Sequence, residues 1–282
     1  MRYLVLLALL TAAPAFAQET APASKEPIEV TAKKSLEWHR EAKMYIARED
    51  AIAKQGTTEV HGDTLTAKYE EGVDGKNTNI TRIDAVGSVL IISEGSKGTG
   101  DLGFYDIKTG YAELTGNNLM LQTATDTITA RDKLTYDTKK NEMNAYGNAK
   151  AVRTEDTIVA DRLIGRFKKD PVTGESKMSE MEAIGSVVIT TPTDVMTGDR
   201  ALYLADANKA TVTGNVRIDR GPNVITGVRG EMDLNTNISR MFGSGDGGPT
   251  TDVGAGLDAA GDGRVRGVFY PDSKDEPATP AP

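Results

Sequence analysis

Apolar and polar residues alternate along most of the chain from Pro27 to Phe242. A period of two is what a half-buried strand produces, because successive side chains point to opposite faces. Pro27-Ile28-Glu29-Val30-Thr31-Ala32 is the first such run. Leu36 and Trp38, then Met44 and Ile46, continue it around a turn at Arg40–Lys43. Ala51–Lys54 and Thr57–Val60 flank Gln55-Gly56. Asp63–Tyr69 sets Leu65, Ala67 and Tyr69 against Thr64, Thr66 and Lys68. Asp74-Gly75 then predicts a type I′ hairpin, whose two central residues need φ > 0, with Asn79–Asp84 returning across it. Short strands roughly every 8–12 residues, with no stretch of helical period, predict an all-β chain of antiparallel neighbours.

The pattern is duplicated. Ile83–Gly116 reads as three short strands broken by Gly-containing turns, and it returns as Met181–Gly214. The offset is a constant 98 positions (83 to 181, 100 to 198, 115 to 213). Gly87, Tyr105 and Thr115-Gly116-Asn117 recur in phase as Gly185, Tyr203 and Thr213-Gly214-Asn215. Upstream, Thr31–Leu36 matches Thr129–Leu134, with Tyr136 in place of Trp38. Asp50–Ala53 matches Asn148–Ala151, and Asp63, Leu65 and Tyr69 match Asp161, Leu163 and Phe167. The Asp74-Gly75 turn becomes Asp170–Gly174. A third, partial copy starts at Ile225-Thr226-Gly227, and regular patterning stops near Phe242. Copy one runs into copy two at Leu121–Ala130 without a linker, which predicts stacked repeats sharing one core.

The ends read differently. Residues 1–17 have the form of a secretory signal peptide: Arg2, an apolar run over Tyr3–Ala12, and Ala15-Phe16-Ala17 as a cleavage site. Residues 18–26 form a Pro/Ala/polar lead-in, and the ordered region is expected over 27–243. Residues 244–282, rich in Gly, Pro, Asp and Ala, predict a largely disordered tail. Within it Arg264–Tyr270 is strand-competent, either folding back locally or adding to a sheet edge, its own or a partner's. A periplasmic or secreted location follows from the leader.

Composition narrows the chemistry. With no cysteine, disulfides, thiolate nucleophiles and Cys-ligated zinc are excluded. The formal charge of −8, or −9 once Arg2 is removed, disfavours nucleic-acid binding. Aromatic residues make up only 5%, which suits a thin, extended β structure better than one thick core. His39 and His61, the only histidines, lie in no catalytic or metal-binding motif. The Asp/Gly tail lacks the spacing of a calcium loop. Gly98–Gly100 opens no helix and makes no phosphate cradle. No pair of carboxylates stands out. No catalytic residue, metal or cofactor is therefore expected. The apolar faces Ile28/Val30, Leu65/Ala67/Tyr69, Val89/Ile91, Leu119/Leu121 and Val187/Ile189 remain. They suit either an ordinary sandwich core or a groove between curved sheets wide enough for lipid chains.

The ordered set Pro27–Ala32, Gly62-Asp63-Thr64-Leu65, Ile83–Gly87, Gly100-Asp101, Tyr105-Asp106 and Leu114–Asn117, recurring in the second copy, resembles the OstA-like family of periplasmic lipopolysaccharide-transport proteins. The resemblance covers residues 27–242. It implies a V-shaped, open-ended antiparallel β-jelly roll whose apolar interior shields lipid A acyl chains. It also implies partners: lipopolysaccharide, inner-membrane-anchored and outer-membrane transport proteins of the same fold, and end-to-end self-association. The lipid-facing residues expected are Ile28, Val30, Leu36, Trp38, Ile46, Leu65, Tyr69, Val89, Ile91, Tyr105, Leu119, Leu121, Tyr136, Val187, Ile189 and Tyr203. Tyr105 is taken over Phe104 because it recurs as Tyr203. The alternatives are a β-solenoid acting on polysaccharide and a structural or adhesive surface protein.

Overall fold

Glycines that look like strand breaks in the sequence lie inside continuous strands. The computed structural model describes residues 27–72, 78–93, 96–169, 176–236, 238–244 and 263–270. The strands are β1 (Glu29–Thr31), β2 (Ser35–His39), β3 (Met44–Gln55), β4 (Thr58–Glu71), β5 (Thr78–Ser93), β6 (Ser96–Asp106), β7 (Tyr111–Thr115), β8 (Leu119–Gln122) and β9 (Asp126–Ala130). They continue as β10 (Lys133–Asp137), β11 (Glu142–Arg153), β12 (Asp156–Lys169), β13 (Ser176–Thr190), β14 (Val195–Leu204), β15 (Lys209–Arg220), β16 (Asn223–Asp233), β17 (Ile238–Phe242) and β18 (Arg266–Val268). Gly98, Gly100 and Gly103, within the stretch expected to be broken by Gly-containing turns, sit inside β6. The hairpin turns expected at Asp74-Gly75 and Asp170–Gly174 fall outside the described residues, as do the leader and most of the tail.

All pairings are antiparallel, and they form one sheet that is folded in two. β3 to β6 and β11 to β16 are two meanders of long strands. The short strands come in pairs that each act as one bent strand. β1 and β2 both pair with β3, β7 and β8 both pair with β6, β9 and β10 both pair with β11, and β17 and β18 both pair with β16. β7 pairs onward with β10, and β8 with β9, which joins the two repeats without a break. Wall one of the V contains β2, β7, β10 and β17 with one half of every long strand. Wall two contains β1, β8, β9 and β18 with the other halves.

The corner between the walls is a column of β-bulges. Val86 pairs with Leu102 and Val89 with Gly100, so Gly87 and Ser88 together face Asp101. Two residues against one sharpens the bend and breaks the ladder locally. Gly87 (φ 76°) and Ser88 (φ 47°) are both left-handed, and a side chain at Gly87 would overlap Asp63 on β4. One repeat later Gly185 (φ 78°) and Ser186 (φ 48°) do the same opposite Asp199. Gly87 and the Gly62-Asp63 and Gly100-Asp101 pairs, all within the set that carries the family resemblance, therefore lie where the sheet folds. Only glycine occupies the first left-handed position without a Cβ penalty. The corner of β3 uses Glu49 (φ 68°) and Asp50 (φ 45°) instead.

The last rung spans both walls. β17 runs toward the corner, Ser244 N donates to Gly263 O at 2.8 Å, and β18 continues along wall two opposite Val224–Thr226. The strand-competent island thus lies on this chain's own edge, as three residues within 264–270.

Candidate lipid-binding interior

Residues directly opposite one another on neighbouring strands share a face, so the registers define rows that run along the V. On wall one the first row from the corner is Leu36, Ala47, Leu65, Ala85, Gly103, Leu114, Leu134, Ala145, Leu163, Ala183, Ala201, Val212, Gly230 and Met241. The second row includes Trp38, Tyr45, Ile83, Tyr105, Tyr136, Met143, Met181, Tyr203 and Met232. On wall two the first row includes Val89, Leu119, Ala149, Val187 and Val216. The second runs from Val30 and Ala53 through Ile91, Leu121, Ile128 and Ile189 to Ile218. Most of these side chains form one hydrophobic cluster, buried along the first rows from Ala47 to Val216 and mostly partly buried along the second.

Of the expected lipid-facing residues, Leu36, Leu65, Trp38, Tyr105, Tyr136 and Tyr203 lie on the inner face of wall one, with Tyr69 one row further out. Val30, Val89, Ile91, Leu119, Leu121, Val187 and Ile189 line wall two. Ile28 is half-buried and precedes β1 by one residue, in phase with Val30. Ile46 is a correction. Its cross-strand partners are Glu37 and Thr66, so it faces outward, while its neighbour Ala47 is 1% exposed inside. Hydrophobicity alone suggested Ile46; the alternation from Ala51 and Ala53 back to Ala47 and Tyr45 places it on the other side. Phe104 is likewise outside, with the Arg82 guanidinium 3.8 Å from its ring centre, which leaves Tyr105 inside.

The alanines are what sequence reasoning missed. Ala47, Ala51, Ala53 and Ala85 recur as Ala145, Ala149, Ala151 and Ala183, all buried. Their recurrence at 98 was the available signal, but small residues carry little weight in a hydrophobic pattern.

The interior ends at a polar rail. Two residues beyond the second row of wall two, the same face carries Gln55, Thr58, Ser93, Ser96, Arg153 and Arg220. Thr58 and Ser93 share a hydrogen bond at 2.8 Å. Arg153 donates twice to Asp126, at 2.6 and 3.0 Å, and Arg220 twice to Asp194. The Arg220 bonds hold the Asp194 carboxyl below its usual range. Paired charges at this height mark where the apolar band stops.

At the N-terminal end the inner face is open. Leu36 is 58% and Trp38 51% exposed because β2 has no neighbour on its outer edge. Trp38 stacks on Tyr45 at 5.8 Å, Tyr45 packs against Tyr69 at 5.0 Å, and Arg40 lies 4.2 Å over the indole. Both histidines are on the outer face, His39 bonded to Glu37 at 2.8 Å and His61 to Glu59 at 3.2 Å. Among the described residues no group of three or more His, Cys, Asp or Glu could hold a metal ion.

Comparison with curated proteins finds no match. Among solved structures, LptH from Pseudomonas aeruginosa, described as the LptA homologous periplasmic component of a lipopolysaccharide transport device, matches at 14% identity. The match covers 89% of this chain and all of that one, with a TM-score of 0.20, too low to bear on the argument. The family described as LptA/(LptD N-terminal domain) LPS transport protein matches twice, over residues 29–141 and 127–238. The two matches start 98 residues apart (29 and 127), at the offset of the internal repeat, and together they span most of the strand region. The chain therefore belongs to the LptA/LptD N-terminal domain family of lipopolysaccharide transport proteins, as an internally duplicated, V-shaped antiparallel β-jelly roll.

Proposed function

We propose that the chain is a non-enzymatic periplasmic carrier that shields lipopolysaccharide acyl chains between its two walls and passes them toward the outer membrane. The observation that supports this most is the continuity of the inner rows. Every strand of wall one, β2 to β7 and β10 to β17, contributes an apolar or small residue to its first row, and both ends are open edges. Thirteen strand-to-strand steps of ~4.8 Å make a track of about 60 Å. Exposing an acyl chain costs about 0.8 kcal/mol per CH₂, so a carrier gains from many similar contacts rather than one tight site.

In this reading the edge strands β1/β2 and β17/β18 dock to inner-membrane-anchored and outer-membrane proteins of the same fold, or to further copies of the chain, by strand addition. The test is native mass spectrometry of protein from its own periplasm, with photo-crosslinkers at Tyr105, Ile91 and, as an outward control, Ile46. Lipopolysaccharide captured at the first two and not the third is expected. Lipid-free protein with no capture at either inner position refutes the reading.

A further inference from the structure

The two walls do not merely face each other; near the corner they interlock. Leu114, in the first row of wall one, sits against Gly98 and Gly100 of wall two. A Cβ at Gly98 would stand 3.1 Å from Leu114 Cδ1, and one at Gly100 3.5 Å from Leu114 Cβ. Gly103, beside Leu114 in its own row, also leaves room for Val89 of wall two, whose Cγ1 would be 3.3 Å from an added Cβ. One repeat later Val212 replaces Leu114 and Gly198 replaces Gly100, and a Cβ at Gly198 would overlap Val212 Cγ1. At the last rung Met241 seats on Gly227, its Cγ 2.6 Å from where a Cβ would be.

We infer that these knobs bolt the corner shut and form a floor, so that lipid chains lie lengthwise along the groove rather than end-on in it. The inference rests on the acyl-shielding reading and deepens it. On wall two only the second row lies between the filled first row and the polar rail. Successive rows are two residues, ~7 Å, apart. The hydrocarbon of one membrane leaflet is about 15 Å deep, half of the ~30 Å bilayer core. A chain of that length standing upright would have to displace Leu114 or Val212 from its socket. Laid along the axis it spans about three strands at ~4.8 Å each. Tyr105, Tyr136 and Tyr203 stand in that second row, and the Tyr203 hydroxyl reaches Asn208 Oδ1 at 3.0 Å. Their rings can cover a recumbent chain while their hydroxyls reach toward the aqueous side.

The experiment uses the full chain loaded with a diphosphoryl lipid A-type amphiphile whose acyl chain carries a diazirine at each end. Irradiation then ties two peptides together through one chain. Tethers joining second-row peptides about three strands apart, such as those of Tyr105 and Met143, are expected. Tethers joining Leu114, Val212 or Met241 to rim residues of the same or an adjacent strand overturn the lengthwise arrangement and leave shielding intact. Absence of any inner-face capture overturns the shielding reading itself.

Discussion

The indole Nε1 of Trp38 donates to the hydroxyl of Tyr69 across 2.7 Å, tying the free edge strand β2 to β4 over the intervening β3. The bond holds an indole that is half in water against a ring that is buried. A neutral bond of this kind contributes about 1 kcal/mol. Tyr69→Phe is expected to loosen β2 by that amount with little effect on the global midpoint, read as faster amide exchange in residues 35–39.

Trp38 is the only tryptophan in the chain and stands at the open mouth of the groove. Its emission therefore reports what enters there. Titration with an acyl-chain amphiphile is expected to shift the emission to shorter wavelength as water leaves the ring. A head group lacking chains is expected to leave it unchanged. Steady emission in both titrations contradicts entry of lipid at this end.

Gly198 and Val212 test the floor. Gly198→Ala forces a methyl into Val212, and overpacking of this kind costs about 1–3 kcal/mol. Val212→Ala alone costs a similar amount through lost burial. The double substitution is expected to be less destabilising than the sum of the two, because the new methyl takes the vacated space. Simple additivity in urea denaturation shows that the walls do not meet there.

Ile46 and Ala47 are neighbours on opposite faces. Ala47→Asp buries a carboxylate without a partner and is expected to cost at least ~3 kcal/mol and to abolish lipid capture. Ile46→Asp stays within about 1 kcal/mol and leaves capture intact. Equal effects place the inner face on the wrong side of β3.

Glu37 carries a pH signature on the outer face. Hydrogen bonds from Arg48 first, then His39 and Ser35, hold its pKa at about 2, down from 4.5. A carboxylate depressed on folding stabilises the native state above its unfolded pKa, and that contribution disappears as pH falls through the folded value. The window is therefore between about 4.5 and about 2. Carbon-detected titration is expected to give a midpoint near the lower figure, and Arg48→Met is expected to raise it.

Much of the architecture is legible in the chain. A strand's alternation is local physics: side chains two apart share a face wherever the backbone is extended. The 98-residue repeat and the all-β class follow from residue order alone. The inward phase carries through the corner on a bulged strand, as from Ala85 to Val89, but slips by one on the strand opposite the bulge. Counting by twos from Gly98 and Gly100 leads to Leu102 and Phe104, yet Gly103 and Tyr105 face inward, because Asp101 opposes two residues at the bulge and the phase slips by one. Tyr105 is picked out by its recurrence as Tyr203, not by counting.

The alternation of the strands and their duplication are legible in one dimension, since each is a pattern of residue types along the chain. The contacts are set by the tertiary structure: Leu114 and Val212 fill glycine sockets on the opposite wall, and Arg153 meets Asp126 and Arg220 meets Asp194 to end the apolar band. Those depend on distances between strands that no periodicity encodes. A glycine that leaves space for a side chain on the other wall looks, in one dimension, the same as a glycine in a turn.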